Sequence, residues 1–447
     1  MTVPMREGVH RKPIHLAAHF PGVNNTTVWT DPGSGSQIDF DSFVHLARTA
    51  ERGGFDFFFL AEGLRLREHM GRIHDLDVVG RPDTFTVLAA LAAVTDRLGL
   101  VGTINTTFNE PFEVARQFST LDHLSDGRAG WNMVTSSDAF TGANFRRGGF
   151  LDHADRYRRA EEFLTVARRF WDSWAPDAVV ADRDSGVYAD PGRIRRVEHR
   201  GPQFDVAGVA TLPAGPQGHP VLLQAGDSAE GRAFGAEHAD ALFTLHTELE
   251  AGRRYYADVK SRAVVAGRNP DRLKVFPAAS VVLGDTHAEA ADRARHIRHQ
   301  QVSGPTAIAM LEQVWQCDLS GYDPDGPLPE IDPADDPSVT RGRVRHGDPK
   351  ELAANWRRRA EEQQLSIREL IIAVTTREQF IGTASQVADD IDLHVQSDAC
   401  DGFILVPHLT PHGLDDFVDQ VVPLLQERGS FRTEYSGTTL RDHLGLG

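Results

Sequence analysis

The stretch from Gly127 to Arg159 carries residue types that can bind an anion. It begins with a predicted strand, Arg128 to Thr135, whose aromatic and apolar residues favour extended backbone. A polar, glycine-rich loop then leads into a helix in which His153 and Tyr157 stand four positions apart and so share one face. An imidazole and a phenol at the start of a helix that follows a strand can hold a phosphate. Spacing alone leaves a capped helix with a surface histidine and a packed tyrosine as the alternative.

Other polar residues stand in or next to predicted buried strands. Asp56 is the one acid in the apolar run FDFFFLA, and Thr103 lies in the run LGLVGTINTT. Ser228 follows the run VLLQA and opens a helix, so its hydroxyl and the neighbouring backbone N–H groups can form an anion cradle. A serine that simply caps the helix is the ordinary explanation of the same pattern.

Composition limits the partners that the chain can have. Its 447 residues are 40% hydrophobic and 25% charged, which is ordinary for a globular protein with a large core. The formal charge of −17 argues against binding to nucleic acid or to an anionic membrane. Cys317 and Cys400 have neither metal-ligand nor disulfide-framework spacing, so we expect free thiols. Because the sequence lacks the pattern of a signal peptide or a transmembrane stretch, we expect a cytoplasmic protein.

Strand and helix patterns alternate along most of the chain. Apolar runs of strand length are predicted at residues 14–20, 55–61, 98–107, 128–135, 221–225, 241–245, 274–283 and 402–407. Helical patterns are predicted at residues 39–52, 83–97, 111–124, 154–174, 229–238, 248–266, 287–301, 350–364, 385–395 and 415–428. Continuous apolar strands in repeated strand–helix units indicate a parallel sheet that is covered on both faces. Because no glycine-rich dinucleotide fingerprint follows the first strand, the pattern predicts an α/β fold of the (α/β)8 TIM-barrel type.

We expect residues 1–447 to form a single barrel domain with irregular insertions near 183–216 and 303–348. The second insertion contains a segment rich in Asp and Pro, 318–348, which is expected to be a loop or a mobile lid. In such a barrel the residues at the carboxyl ends of the strands meet the ligand. This rule selects Asp56 and residues 103–107, 132–137 and 226–228.

Four segments of the sequence resemble flavin-dependent monooxygenases of the bacterial-luciferase superfamily. They are GGFDFFFLAE, FSTLDHLSDGRAGWNMVTS, DHADRY and the C-terminal FVDQVVPLLQERGSFRTEYSGTTLRDHLG. The nearest resemblance is to the branch of nitrilotriacetate monooxygenase, dibenzothiophene-sulfone monooxygenase and pristinamycin IIA synthase. It runs nearly end to end and is weakest at residues 21–37 and 303–348. The combination of GRxxWNxVTS with a following HxxRY is highly specific.

The resemblance implies a luciferase-like barrel that binds reduced FMN (FMNH2) and reacts with O2. A separate NAD(P)H-dependent flavin reductase would supply the FMNH2, which fits the lack of a second nucleotide-binding fingerprint in the sequence. One oxygen atom would pass to a small organic substrate by carbon–nitrogen, carbon–sulfur or ring oxidation. The flavin would carry the redox chemistry, and the protein would orient the reactants and exclude water. We also expect a homodimer or a homotetramer.

The resemblance also assigns cofactor-binding residues. Asp56 is expected at the end of the second strand near the flavin ring, and Thr103 beside the ring or its ribityl chain. His153 and Tyr157 match the family's HxxxY pair, which grips the FMN phosphate. Ser228 would close the same phosphate site.

No proton-transfer residue is assigned by the resemblance. The weak candidates are His19, at the carboxyl end of the first strand, and Asn132, in the fourth. The loops at residues 23–37 and 64–81 are expected to shape the substrate pocket, together with the Asp- and Pro-rich insertion. Substrate identity transfers least between relatives, because a fold hosts many functions.

Two alternatives within the same fold stay open. One is an oxidoreductase that depends on the deazaflavin F420, and the other is a flavin-binding barrel that oxygenates nothing. The WNxVTS and HxxRY pattern weighs against the deazaflavin. A metal-dependent hydrolase barrel is excluded because no HxH or clustered His/Asp set ends the predicted strands, so no metal ligand is predicted.

Overall fold

The computed structural model describes residues 11–24, 26–66, 68–73, 81–135, 144–145, 153–334, 340–341, 348–376 and 379–447. Its centre is a closed barrel of parallel strands, namely β1 His15–Phe20, β2 Phe57–Leu60, β3 Gly99–Asn105, β4 Ala129–Val134, β5 Val221–Gln224, β6 Ala241–Thr244, β7 Lys274–Leu283 and β8 Gly402–Leu405. Each strand pairs with the next along the chain, and β8 pairs back onto β1, which closes the ring. The predicted (α/β)8 barrel is therefore confirmed, and all of its strands lie within a few residues of their predicted positions.

Helices connect the strands and surround the barrel. They are α1 Phe40–Arg52, α2 Thr84–Ala92, α3 Pro111–Leu124, α4 His153–Trp171, α5 Ala229–His238, α6 Leu249–Val265, α7 His287–Gln301, α8 Gly304–Trp315, α9 Pro349–Gln363, α10 Ile367–Thr375, α11 Ala384–Gln396, α12 Val422–Glu427 and α13 Leu440–His443. Side-chain caps fix several starts, as where Asp83 accepts from the Thr86 backbone N–H. A π-helical turn, Phe417–Val421, leads into α12. Within the described part of the chain, no helix combines the length and apolar character that crossing a bilayer requires.

The regions between β2 and β3, between β4 and β5 and between β7 and β8 hold structure that the sequence did not predict. Residues 179–208 contain two antiparallel ribbons, which pair Val179–Asp182 with Val187–Ala189 and Val197–Arg200 with Asp205–Gly208. A strand, Gln379–Gly382, extends the sheet beside the carboxyl half of β7. Three short strands, Glu68–His69, Arg72–Ile73 and Thr340–Arg341, form a separate sheet. Residues 335–339 and 342–347 of the expected lid lie outside the described residues, and the division into one domain with two insertions stays a prediction.

Two apolar cores hold the barrel together. The larger one lies between the strands and the surrounding helices, and it includes Trp131, Phe163 and Trp171. The smaller one fills the barrel interior and consists of inward-facing residues of the strands: Ala17, Phe57, Phe59, Val101, Val221, Leu223, Ala241, Phe276 and Ile404. The interior is thus a packed core, as in other barrels of this class.

The C-terminal segment closes the amino-terminal end of the barrel. The sequence predicts a polar tail from Phe431 onward, but Leu440, Leu444 and Leu446 are buried in the interior core. Leu440 packs so closely against β3 that a Cβ on Gly99 would lie 2.6 Å from its Cδ1. Burial of each leucine contributes about 2 kcal/mol. The prediction of a tail is wrong because these leucines, scattered among polar residues, become neighbours only when α13 forms.

A buried carboxylate links this closure to the first two strands. Asp56 precedes β2 and is completely buried; its Oδ2 accepts from the Leu16 backbone N–H at 2.8 Å, and its Oδ1 lies 3.0 Å from His15 Nδ1. Arg432 donates to the same Oδ1 and, at 3.0 Å, to the carbonyl of His443. Burial by itself raises the pKa of Asp56, but the charges of Arg432 and His15 outweigh it and lower the pKa to about 2.

The prediction that Asp56 ends the second strand and meets the flavin is therefore wrong. The residue stands before the first residue of β2, at the end of the barrel opposite to the carboxyl ends of the strands. An isolated acid inside an apolar run attracted that prediction, yet its ion pair with Arg432 explains its burial.

Replacement of Asp56 by Asn is expected to lower the free energy of unfolding by about 3 kcal/mol at pH 7, because Arg432 would lose its buried counter-charge. Because the native pKa is lowered, this stabilisation is present above pH 3.8 and is lost as the pH falls towards 2. Urea denaturation of both proteins at pH 7 measures the difference. The matched control is Asp292→Asn, which breaks an exposed pair with Arg295 and should change stability little. Equal midpoints for the two variants would contradict the structural role of Asp56.

Candidate active site

Polar side chains gather on the inner face of the barrel at the carboxyl ends of β1, β3 and β4. His19 and Thr103 each follow an interior-core residue by two positions, so they point to the same side as Ala17 and Val101. The His19 ring packs on Phe59, with 5.3 Å between ring centroids. Asn132 lies opposite Thr103 in the ladder between β3 and β4. This layer forms the top of the packed interior, where ligands of such barrels bind.

The amide of Asn132 is only half satisfied. Its Nδ2 donates to Thr103 Oγ1 at 2.9 Å, and both residues are buried. Its Oδ1 is also buried but has no hydrogen-bond partner among the described residues. A buried carbonyl oxygen requires a donor. An N–H group on the polar edge of a flavin ring would supply one, so this position fits the cofactor that the sequence predicts.

A second polar feature lies where α4 and α5 begin. Ser228 caps α5, and its Oγ accepts from the Gly231 backbone N–H at 3.1 Å. The Tyr157 hydroxyl lies against the same turn, because a Cβ on either Gly226 or Gly231 would be 2.8 Å from its oxygen. The structure therefore brings Tyr157 and Ser228 together, although they are far apart in sequence. Two helix N-termini, a phenol and a hydroxyl make a cradle for a phosphate.

The first turns of α4 are anchored to the loop that follows β3. Arg159 donates from Nε to the carbonyl of Thr106 and from Nη2 to that of Asn109, both at 3.0 Å. This contact holds α4 against the barrel and so positions Tyr157. His153 is the first residue of α4, but its side chain lies outside the described part of the structure. Its assignment to the phosphate stays a prediction.

The acid at the carboxyl end of β2 is Glu62. Asn105, the last residue of β3, donates from Nδ2 to both carboxylate oxygens of Glu62, at 3.1 and 3.0 Å. Burial raises the pKa of Glu62 to about 7, although the bonds from Asn105 act in the opposite direction. A carboxyl group that ionises near neutral pH at the mouth of a barrel can bind a polar ring edge or exchange a proton. The sequence did contain a signal for Glu62, because this acid directly follows the apolar run FDFFFLA, whereas Asp56 lies inside that run.

A cavity of about 450 Å³ opens beside the carboxyl end of β1. Its lining comes from three separate segments: residues 24–30, residues 69–73 and residues 300–309. His69 pairs there with Glu312, whose second oxygen accepts from the Leu319 backbone N–H at 2.7 Å. Two of the regions that were expected to shape a substrate pocket, the loops at residues 23–37 and 64–81, thus line one cavity, whereas no described residue of the Asp- and Pro-rich segment 318–348 does.

The sequence matches a known family over most of its length. The pattern described as "Luciferase-like monooxygenase" covers residues 22–400. The chain is 39% identical to N-acetyl-S-(2-succino)cysteine monooxygenase of Bacillus subtilis (strain 168), over 98% of this chain and 97% of that protein. It is 39% identical to nitrilotriacetate monooxygenase component A of Aminobacter aminovorans, over 91% and 90%. It is 38% identical to dibenzothiophene-sulfone monooxygenase of Rhodococcus erythropolis (strain XP), over 98% and 97%.

Solved structures resemble the whole chain as well. A crystal structure of riboflavin lyase with modified FMN and riboflavin superimposes with a TM-score of 0.79 at 31% identity and covers 98% of this chain and 96% of the other. The structure of DmoA from Hyphomicrobium sulfonivorans gives a TM-score of 0.82 at 28% identity and covers 98% and 93%. These comparisons confirm the resemblance on which the sequence analysis relied.

Replacement of Glu62 by Gln should stabilise the protein more at pH 8 than at pH 5. Because the native pKa of about 7 lies above the usual value of 4.5, the wild type loses stability as the pH rises from 4.5 to about 7, and the loss levels off at higher pH. The variant should therefore gain on the order of 1–3 kcal/mol relative to the wild type across that interval. Urea denaturation at both pH values provides the measurement, and Glu434→Gln, which removes an exposed acid, is the control. A difference that does not change with pH would exclude the raised pKa.

Proposed function

The chain belongs to the luciferase-like monooxygenase family, and from this membership we propose that it is the oxygenating component of a two-component monooxygenase. It uses FMNH2 from a separate NAD(P)H-dependent flavin reductase, together with O2, to oxygenate a small organic substrate by carbon–nitrogen, carbon–sulfur or ring oxidation. The observation that carries the flavin assignment is the buried, unpaired Oδ1 of Asn132, which faces the same end of the barrel as the phosphate cradle.

The two polar features correspond to the two ends of a flavin nucleotide. Tyr157, Ser228 and the backbone N–H groups at the start of α5 would hold the phosphate, with His153 as the further predicted donor. Asn132 and Thr103 would meet the polar edge of the ring. When bound, reduced flavin supplies the reducing electrons and the activation of O2. The role of the chain is to hold this group and to control water and protons around it.

The barrel beneath the proposed ring site leaves no room for bulk water. Phe59 and Phe243 stack there with 5.9 Å between ring centroids, and the interior core continues below them. A packed apolar interior below the ring excludes water, which strengthens hydrogen bonds to the ring and protects a reactive cofactor from hydrolysis. In this region Glu62 can hold a proton near neutral pH, at a carboxyl oxygen beside Asn105.

The cavity beside β1 is the proposed substrate pocket. Its walls combine apolar groups, among them Trp29 and Met70, with polar ones such as Gln300 and Arg72. Relatives of this chain are named for substrates as different as nitrilotriacetate and dibenzothiophene sulfone. Because the pocket is built from loops outside the barrel, its chemistry can differ between relatives while the flavin site stays the same.

Photoreduced FMN mixed with the protein in the absence of O2 should form a one-to-one complex. On rapid mixing with O2-containing buffer, we expect a transient absorbance that belongs to neither reduced nor oxidised FMN, because the dry site delays decay of the activated oxygen. Free FMNH2 under the same conditions is the control. Failure to bind FMNH2, or tighter binding of reduced F420, would contradict the proposal and favour the deazaflavin alternative.

The phosphate cradle can be tested with two ligands that differ only in the phosphate. His153→Ala and Tyr157→Phe should each weaken FMN binding about tenfold, because a charged hydrogen bond is lost, and should leave riboflavin binding nearly unchanged. Fluorescence titration of each flavin measures both affinities. Tyr188→Phe removes an exposed phenol far from the cradle in sequence and is the matched control. Equal losses for FMN and riboflavin would remove the phosphate assignment.

A further inference from the structure

Three side chains that are distant in the sequence converge on the outer surface of the barrel. His45 lies on α1, whereas His412 and Asp415 lie in the loop between β8 and the π-helical turn. His412 Nδ1 lies 3.0 Å from His45 Nε2 and 3.1 Å from Asp415 Oδ2, and His45 Nε2 lies 2.9 Å from that same oxygen. One nitrogen from each imidazole and one carboxylate oxygen therefore form a nearly equilateral triangle.

The triangle has the size that a metal ion requires. In a six-coordinate site with bonds of about 2.1 Å, neighbouring ligand atoms are about 3.0 Å apart. Two imidazoles and one carboxylate on one face of an ion leave the other positions for water or a ligand, and this set suits divalent first-row transition metals. Imidazole nitrogens do not suit Mg²⁺ or Ca²⁺, which prefer oxygen.

Hydrogen bonding alone accounts poorly for the same arrangement. A neutral imidazole nitrogen carries either a proton or a lone pair. Each of the two nitrogens has only one proton to give, yet each approaches both the other ring and Asp415 at hydrogen-bond distance. A cation above the plane of the triangle, at bonding distance from all three atoms, would satisfy the three lone pairs at once.

A hydrogen bond from Thr49 orients the carboxylate of Asp415. Thr49, one turn after His45 on α1, donates from Oγ1 to the other oxygen of Asp415 at 2.9 Å. A partly exposed aspartate is ionised at neutral pH, so its oxygen is available to a cation. Hydrogen bonds of this kind orient the ligands in natural metal sites.

His45, Asp415 and Thr49 line an open groove of about 500 Å³, and the side chain of His412 is itself half exposed, so an ion can enter from solvent. The other residues that line the groove are Asp41, Val44, Arg48, Arg52 and Asp419. Arg52 pairs with Asp419, which keeps that arginine directed towards an acid rather than towards the triangle. The two histidines and Asp415 are each about one-third to one-half exposed, so they can adjust by the small movement that binding needs.

We propose that His45, His412 and Asp415 bind one divalent first-row transition-metal ion. The ion would connect α1 to the loop after β8, and this loop in turn holds the loop that follows β1. The backbone N–H of Val28 donates to the carbonyl of His408 at 2.8 Å, and that of Gly35 to Thr410 at 2.7 Å. The segment held in this way lines the cavity beside β1, so the metal would brace one wall of that cavity. The site lies outside the barrel, and its existence does not depend on the flavin chemistry.

The experiment titrates the full chain, without an affinity tag and after removal of metals by a chelator, with CoCl2, ZnCl2 and MgCl2 in separate runs. Calorimetry should give one Co²⁺ or Zn²⁺ per chain and no binding of Mg²⁺. His45→Ala and His412→Ala should each weaken Co²⁺ binding at least about tenfold, and Thr49→Val should weaken it by a smaller factor. Zn²⁺ should raise the melting temperature of the wild type but not that of either histidine variant.

The matched control is His238→Ala. His238 forms the other described group of three potential ligands, with Glu161 and Glu237, so this variant tests for binding elsewhere on the surface. It should bind Co²⁺ as the wild type does. The proposal is overturned if the wild type binds neither Co²⁺ nor Zn²⁺ more tightly than about 100 μM. It is also overturned if binding survives His45→Ala or disappears in His238→Ala.

Discussion

The ion pair between Asp56 and Arg432 anchors the C-terminal segment to the amino-terminal end of the barrel. It joins the start of β2 to the C-terminal segment, and the same carboxylate binds the backbone of β1 at Leu16. A buried charge is tolerated only where partners surround it, so the C-terminal segment must return to the amino-terminal end of the barrel. Once there, α13 inserts its leucines into the interior core and shields the pair from water. The buried ion pair holds the C-terminal segment in place, and the leucines of that segment in turn keep water away from the ion pair.

The two ends of the barrel differ in the kind of side chains that they contain. The amino-terminal end is filled with apolar groups and compensated charges such as Asp56, although both ring nitrogens of His443 have no hydrogen-bond partner there among the described residues. The carboxyl end presents groups whose hydrogen bonds are incomplete or whose ionisation is shifted, namely Asn132 and Glu62. Incomplete bonding is costly in a buried site. At the carboxyl end, where barrels of this class bind ligands, a ligand that donates a hydrogen bond to Asn132 Oδ1 is the simplest explanation.

The proposed phosphate cradle between α4 and α5 is built from polar groups that carry no formal charge. Its described components are a phenol, a hydroxyl, two glycines and the N–H groups of a helix start. The glycines are required because a side chain at either position would occupy the place of the Tyr157 hydroxyl. In a chain with a formal charge of −17, a site made from dipoles can attract a phosphate without a basic patch. The proposed substrate pocket differs from this cradle because three separate segments form its walls.

The sequence by itself determined the class of fold, the positions of the barrel strands and the family, because periodicity and local motifs are properties of neighbouring residues. It also predicts Thr103, Tyr157 and Ser228 as cofactor-binding residues through the resemblance; the structure brings Tyr157 and Ser228 together, and the binding roles of all three stay predictions. The sequence already placed Asp56 before and Glu62 after the apolar residues of β2, whereas tertiary structure decided that Asp56 forms a buried ion pair with Arg432. Tertiary structure likewise decided the burial of the C-terminal leucines and the meeting of His45 with Asp415. Those contacts join residues hundreds of positions apart, and a pattern read along one segment contains no information about such pairings until the chain closes into a barrel.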